Sequence, residues 1–119
     1  KKTITFTNTN VLIMGLAFKE NCSDIRNTLV VDLINKFLEI SFNVEVFDPI
    51  VNSNEAFFEY GISPIDSPAK GKYDVIVIAV AHDEFKKMSV SDIKAFGKKD
   101  HILYDVKYLF NSKDVDGRL

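Results

Sequence analysis

The sequence predicts an α/β fold, an open parallel sheet held between two layers of helices as one three-layer domain. Three observations predict it. Short apolar runs of strand length alternate with stretches of helical period, the order expected of right-handed βαβ units. The run YDVIVIAV (73–80) is almost wholly apolar without alternation, as in a strand buried on both faces. A chain of 119 residues, 46% of them hydrophobic with 10 Phe and no Trp, is long enough to bury one core without staples.

The elements follow in order. NVLIMG (10–15) is a short continuous apolar strand ending in glycine. From Ile25 to about Ile40, apolar residues at 29, 30, 33, 34, 37 and 38 keep the i, i+3, i+4 spacing of a helix packed on a sheet, and Ser23 or Asp24 is placed to cap it. NVEVFDP (43–49) is a second strand stopped by Pro49, and SNEAFFEYG (53–61) a short helix closed by Gly61. ISPI (62–65) fits a short edge strand, where Pro64 is tolerable. YDVIVIAV is the central strand, SVSDIKAFG (89–97) another helix, and HILYDV (101–106) the last strand. Residues 1–9 read as a lead-in, 10–110 as the domain and 111–119 as a flexible polar tail. With these five strands numbered along the chain, the expected order is 3-2-1-4-5, a Rossmann-like sheet.

Composition excludes several functions. A net charge of −2 gives no broad grip on nucleic acid. No apolar run approaches the ~18 residues of a membrane span, and the N-terminus has no signal-peptide pattern. The single cysteine forms no internal disulfide, which fits a reducing cytoplasm. The opening KKTITFTNTN lacks Met and reads as the interior of a longer protein or as a trimmed chain.

Ligands of such sheets bind beyond the carboxyl ends of the strands, at the switch point beside the first strand. The loop there is GLAFKENCSDIRNT (15–28), which has one glycine rather than the G-x-G-x-x-G of a dinucleotide site. Loops after the other strands bring His82 and Lys107 to the same edge as Lys19 and Arg26. Several cations beside a helix N-terminus suit a phosphate or diphosphate, and Phe18 offers a flat apolar wall for a base or sugar. The plainer reading of each is also open. Lys19 is then a solvated loop lysine, Asp24 and Arg26 cap and brace their own loop, and His82 covers a helix start with Asp83 as its cap. For Asp24 the structural role is favoured. Asp48 lies too far beyond Gly15 to be the ribose-binding acid of a dinucleotide fold, so FDP is read as a strand-ending turn. Cys22 has no His at a spacing that would make it a nucleophile, and no Cys or His cluster suits a metal.

VLIMGLAFKENCSDIRNT, followed at the right intervals by VEVFDP, YDVIVIAVAHDEF and ILYDVK, resembles the C-terminal domain of the UDP-glucose/GDP-mannose dehydrogenase family over residues 10–110. The family pattern is a strand, G-x-x-F-K, then D-x-R. The wording here is most similar to the branch that oxidises UDP-N-acetylhexosamines for bacterial surface polysaccharides. The resemblance implies part of an NAD-dependent 6-dehydrogenase that takes the C6 alcohol of a UDP-sugar to a carboxylate. In that family an N-terminal domain of the same protein binds NAD, and a cysteine near the domain junction forms the covalent intermediate. Neither motif is present here, so no catalytic residue is expected in this chain, which alone is expected to be inactive. Phe18 and Lys19 match the residues that contact the nucleotide sugar. Lys107 matches a basic residue, often Arg, that also reaches it. Arg26 matches an arginine at the interdomain cleft that approaches the nicotinamide side of NAD. Ser23 replaces a common Pro, and Tyr108 stands where this branch often has Gly. The full-length family enzyme is expected to be a homo-oligomer.

A competing class is a stand-alone Rossmann-like module that senses a ligand or binds a partner, distinguishable by the sequence upstream of residue 1. A receiver-type signalling domain is disfavoured, because VIVIAVAH carries no acidic residue at the end of the central strand.

Overall fold

The computed structural model describes residues 8–118. Residues 1–7, most of the expected lead-in, lie outside the described residues. Five parallel strands form one sheet: β1 (Asn10–Met14), β2 (Asn43–Phe47), β3 (Tyr73–Ile78), β4 (Gly97–Asp105) and β5 (Gly117–Arg118), in the order β2-β1-β3-β4-β5. The first crossover is α1 (Val30–Glu39), the second α2 (Ser53–Tyr60), and the third is made by two short helices, α3 (Asp83–Lys86) and α4 (Val90–Lys94).

Alternation along β1 divides the core. Val11 and Ile13 join Val46 and Val77 beneath α1 and α2, where Ile34 and Ala56 close the layer. Leu12 and Met14 join Ile76, Ile78 and Leu103 on the opposite face, against Phe85, Ile93 and Phe96. Both faces are covered, which is why β1 and the end of β3 read as unbroken apolar runs. Asn52 caps α2 by accepting from Glu55 N at 3.0 Å, and Gly61 ends it with φ 70. Among the described residues no helix is long and apolar enough to cross a membrane.

The structure departs from the sequence reading at three places. Residues 62–65 form no strand; a single bond from Ile65 N to Val46 O (2.8 Å) lies along β2, and Pro64 has no N–H to extend a ladder. The helix expected from Ile25 starts at Val30, and neither Ser23 nor Asp24 caps it. Asp24 instead accepts the N–H of Arg26 (2.9 Å), Asn27 turns with φ 59, and Thr28 Oγ1 receives Val30 N (3.2 Å). The stretch expected as a flexible tail carries a 3-10 turn (Ser112–Asp114) and then β5, which adds an outer strand. Asp116 secures it by accepting from Leu103 N (2.7 Å) and donating its own N–H to Leu103 O (2.8 Å).

Candidate nucleotide-binding site

Beyond the carboxyl ends of β1 and β3 the chain makes a tight exit. Gly15 has φ 105, and a Cβ there would meet Val80 Cβ at 2.6 Å, so both the backbone angle and the space require glycine. The following loop is organised from below by Asp48 at the end of β2. Its Oδ2 accepts Leu16 N (2.7 Å), Ala17 N (3.0 Å) and His82 Nε2 (2.9 Å), and its Oδ1 accepts Ile50 N (2.9 Å) and Val51 N (3.3 Å). Burial pushes the Asp48 carboxyl up, but the His82 bond and the backbone N–H groups outweigh it and hold the group below the usual carboxylate range.

His82 lies beside Asp48 with no exposed surface. Its Nδ1 accepts Asn21 N at 2.9 Å, which assigns the ring proton to Nε2 and makes Nε2 the donor to Asp48. The expectation that His82 joins the exposed cations of the site is therefore corrected: the imidazole is buried, and both ring nitrogens are engaged within the protein. Asp83 is not its helix cap either; His82 itself holds the N-cap position of α3.

Phe18, Lys19 and Lys107 do come together. They line one cleft of about 310 Å³ whose floor includes Ala79 and Val80, both buried. The N-terminus of α1 opens onto it through Thr28, Leu29 and Val30. Phe18 is 55% exposed, so its ring is a free wall rather than a core residue. Two ammonium groups, a helix N-terminus and an aromatic face over an apolar floor suit an anionic ligand with a flat apolar part. Lys107 also borders an adjoining hollow of about 390 Å³ with Glu20, Lys86 and Tyr108. Tyr108 has φ 59, a conformation that favours glycine, and its ring lies under the Arg118 guanidinium at 4.0 Å.

Arg26 is placed apart from these three. It lines a wider groove of about 750 Å³ with Cys22, Asp24 and Phe58. That groove is larger than the cleft, but the convergent cations lie in the smaller one. Arg26 grips Asp24 through Nε–Oδ1 (3.0 Å) and Nη2–Oδ2 (2.9 Å), yet its side chain remains 81% exposed. The Arg26 side chain, and then its backbone N–H, bring the Asp24 carboxyl down to about 2. The brace and the outward guanidinium coexist. In the same groove Cys22 Sγ accepts Asp24 N at 3.4 Å.

A dinucleotide fold offers the N–H groups of its first turn to a pyrophosphate. Here Leu16 and Ala17 N–H are already bound by Asp48, so this loop has no such cradle. The sequence reading of Asp48 as a strand-ending turn agrees with its bonds to Ile50 N and Val51 N, but it missed the hold of Asp48 on the loop after β1. Its only signal was an acidic residue at the end of the strand next to β1, one strand away from the loop whose N–H groups need acceptors.

Comparison with known proteins agrees with the fold. The profile of the UDP-glucose/GDP-mannose dehydrogenase family, UDP binding domain, matches residues 12–112. The chain is 49% identical over all 119 residues to a UDP-N-acetyl-D-glucosamine 6-dehydrogenase of Pseudomonas aeruginosa and 44% identical to one of Salmonella typhi. It spans 28% of the length of each. A crystal structure of NDP-N-acetyl-D-galactosaminuronic acid dehydrogenase from Methanosarcina mazei Go1 shares the fold with a TM-score of 0.76 at 20% identity, over 92% of this chain and 22% of that one.

Proposed function

The chain belongs to the UDP-glucose/GDP-mannose dehydrogenase family as its UDP-binding domain, and from that premise we propose that it holds the diphosphate and base of a UDP-sugar in the cleft of Phe18, Lys19 and Lys107. In this reading it supplies the nucleotide-sugar side of an NAD-dependent 6-dehydrogenase acting on a UDP-N-acetylhexosamine. The supporting observation is the convergence of these three residues, 89 positions apart at the extremes (107 − 18), on one cleft beside the N-terminus of α1.

Each residue has a task that follows from its chemistry. Lys19 and Lys107 neutralise the diphosphate, and the N–H groups at the start of α1 add to the positive potential. Lys107 acts as a point charge, without the paired bonds an Arg would make. Phe18 stacks on the flat base, while Ala79 and Val80 keep water from beneath the anion. NAD would supply hydride acceptance when bound; the first turn here does not fit its pyrophosphate, and the chain spans only 28% of its dehydrogenase relatives, so this reading puts the NAD cradle on another domain of the same protein. In the same reading Arg26, exposed in the groove beside Phe58, is the residue that reaches toward that domain and the nicotinamide side of NAD. Calorimetric titration with uridine, UMP and UDP tests the reading. Affinity should rise with each added phosphate; equal affinity for uridine and UDP would contradict a diphosphate site.

A further inference from the structure

We propose that Asp48 and His82 are positioning residues that pre-set the 16–21 loop, so that Lys19 stands over the cleft before a ligand arrives. The proposal rests on the UDP-binding reading and adds to it residues that touch no ligand. Both arms of the loop are anchored to the same buried pair. The entry arm is held by Leu16 N and Ala17 N on Asp48 Oδ2 (2.7 and 3.0 Å). The exit arm is held by Asn21 N on His82 Nδ1 (2.9 Å). Asp48 and His82 join the anchors to each other at 2.9 Å, both side chains fully buried. Between the anchors lie only Phe18, Lys19 and Glu20, all exposed.

An exposed apex of this kind has little packing of its own, so its order must come from its ends. One further tie, Phe18 N to Asp24 O at 2.7 Å, closes the apex against the descending chain. The imidazole suits its place because one rigid ring presents an acceptor to Asn21 and a donor to Asp48. Phe85, fully buried and 5.4 Å from the ring centroid, packs against it. Asn21 returns the connection through its Oδ1, which accepts Asp83 N at 2.9 Å. The loop after β1 is thereby latched to the ends of both neighbouring strands. Holding Lys19 in place beforehand removes an ordering cost from binding.

The test uses His82→Phe, which keeps a ring but removes both hydrogen bonds, alone and combined with Lys19→Ala. UDP affinity is measured by calorimetry, and amide hydrogen exchange reports on the loop. We expect loss of protection at Asn21 with β1 and β3 still protected, and UDP affinity weaker by roughly tenfold. On the Lys19→Ala background the same change should cost less than about twofold, because the clamp acts through Lys19. His82→Asn, which keeps an acceptor for Asn21, should recover much of the affinity. Should His82→Phe fail to fold, His82→Gln keeps the donor to Asp48 and carries the same comparison. Wild-type affinity in a folded variant, or losses that simply add to Lys19→Ala, would overturn the positioning role. If the unaltered chain itself does not bind UDP, the underlying reading fails, and the clamp's purpose with it.

Discussion

Asp48 and His82, 34 residues apart in sequence, meet at 2.9 Å with no solvent reaching either side chain. Five donors converge on this one carboxylate: four backbone N–H groups and the imidazole Nε2. Asp48→Asn turns one oxygen into a donor that faces other donors. It should cost about 2–4 kcal/mol of folding stability, the range for breaking a buried polar network. Urea unfolding should show this as a lower midpoint with an unchanged slope.

The same carboxylate makes stability depend on pH. Its folded pKa lies below the ordinary 3.8, so above 3.8 its contribution is fully present. As the pH falls through the folded value, the native carboxylate must also take up a proton and the contribution is lost. Asp24, also depressed, is exposed and adds little. The Asp48 contribution to the urea midpoint should therefore be lost below about pH 4, and Asp48→Asn should flatten that acid limb.

Arg26→Ala separates brace from cleft residue. The Arg26–Asp24 pair is solvent-exposed, so its loss should barely move the thermal midpoint of this chain. In a full-length dehydrogenase carrying this domain, the same change should raise the KM for NAD more than that for the UDP-sugar. A destabilised domain with normal NAD kinetics would return Arg26 to the role of a loop brace.

The legible and illegible parts divide along physical lines. β1, β3 and their adjacency were readable because strands covered on both faces leave unbroken apolar runs. Once these strands are neighbours, Lys19 and Lys107 must share an edge, and the structure puts both in one cleft. The start of α1 was misplaced because apolar spacing marks a buried face and does not show that Asp24, Asn27 and Thr28 hold the preceding turn. β5 was hidden because a two-residue strand held by Asp116 has no period to detect. As read from the sequence, Asp48 closes β2 in a turn and His82 stands at the start of a helix; their bonds to Leu16, Ala17 and Asn21 were not legible, because only the folded chain brings these partners to them.

Lys19→Ala and Lys107→Ala should each weaken UDP binding by roughly 10- to 150-fold, the worth of a charge-assisted phosphate contact. Uridine affinity should be nearly unchanged in both. Lys107→Arg should bind UDP at least as well as the unaltered chain, because a guanidinium can pair with two phosphate oxygens.

The most direct measurement is a UDP titration of this chain followed by backbone amide NMR. The account predicts that the largest shifts fall at Ala17–Lys19, Leu29–Val30, Ala79–Val80 and Val106–Lys107, around the cleft. Shifts concentrated instead at Cys22–Arg26 and Asn54–Glu59, around the wider groove, or no shifts at millimolar UDP, would contradict it.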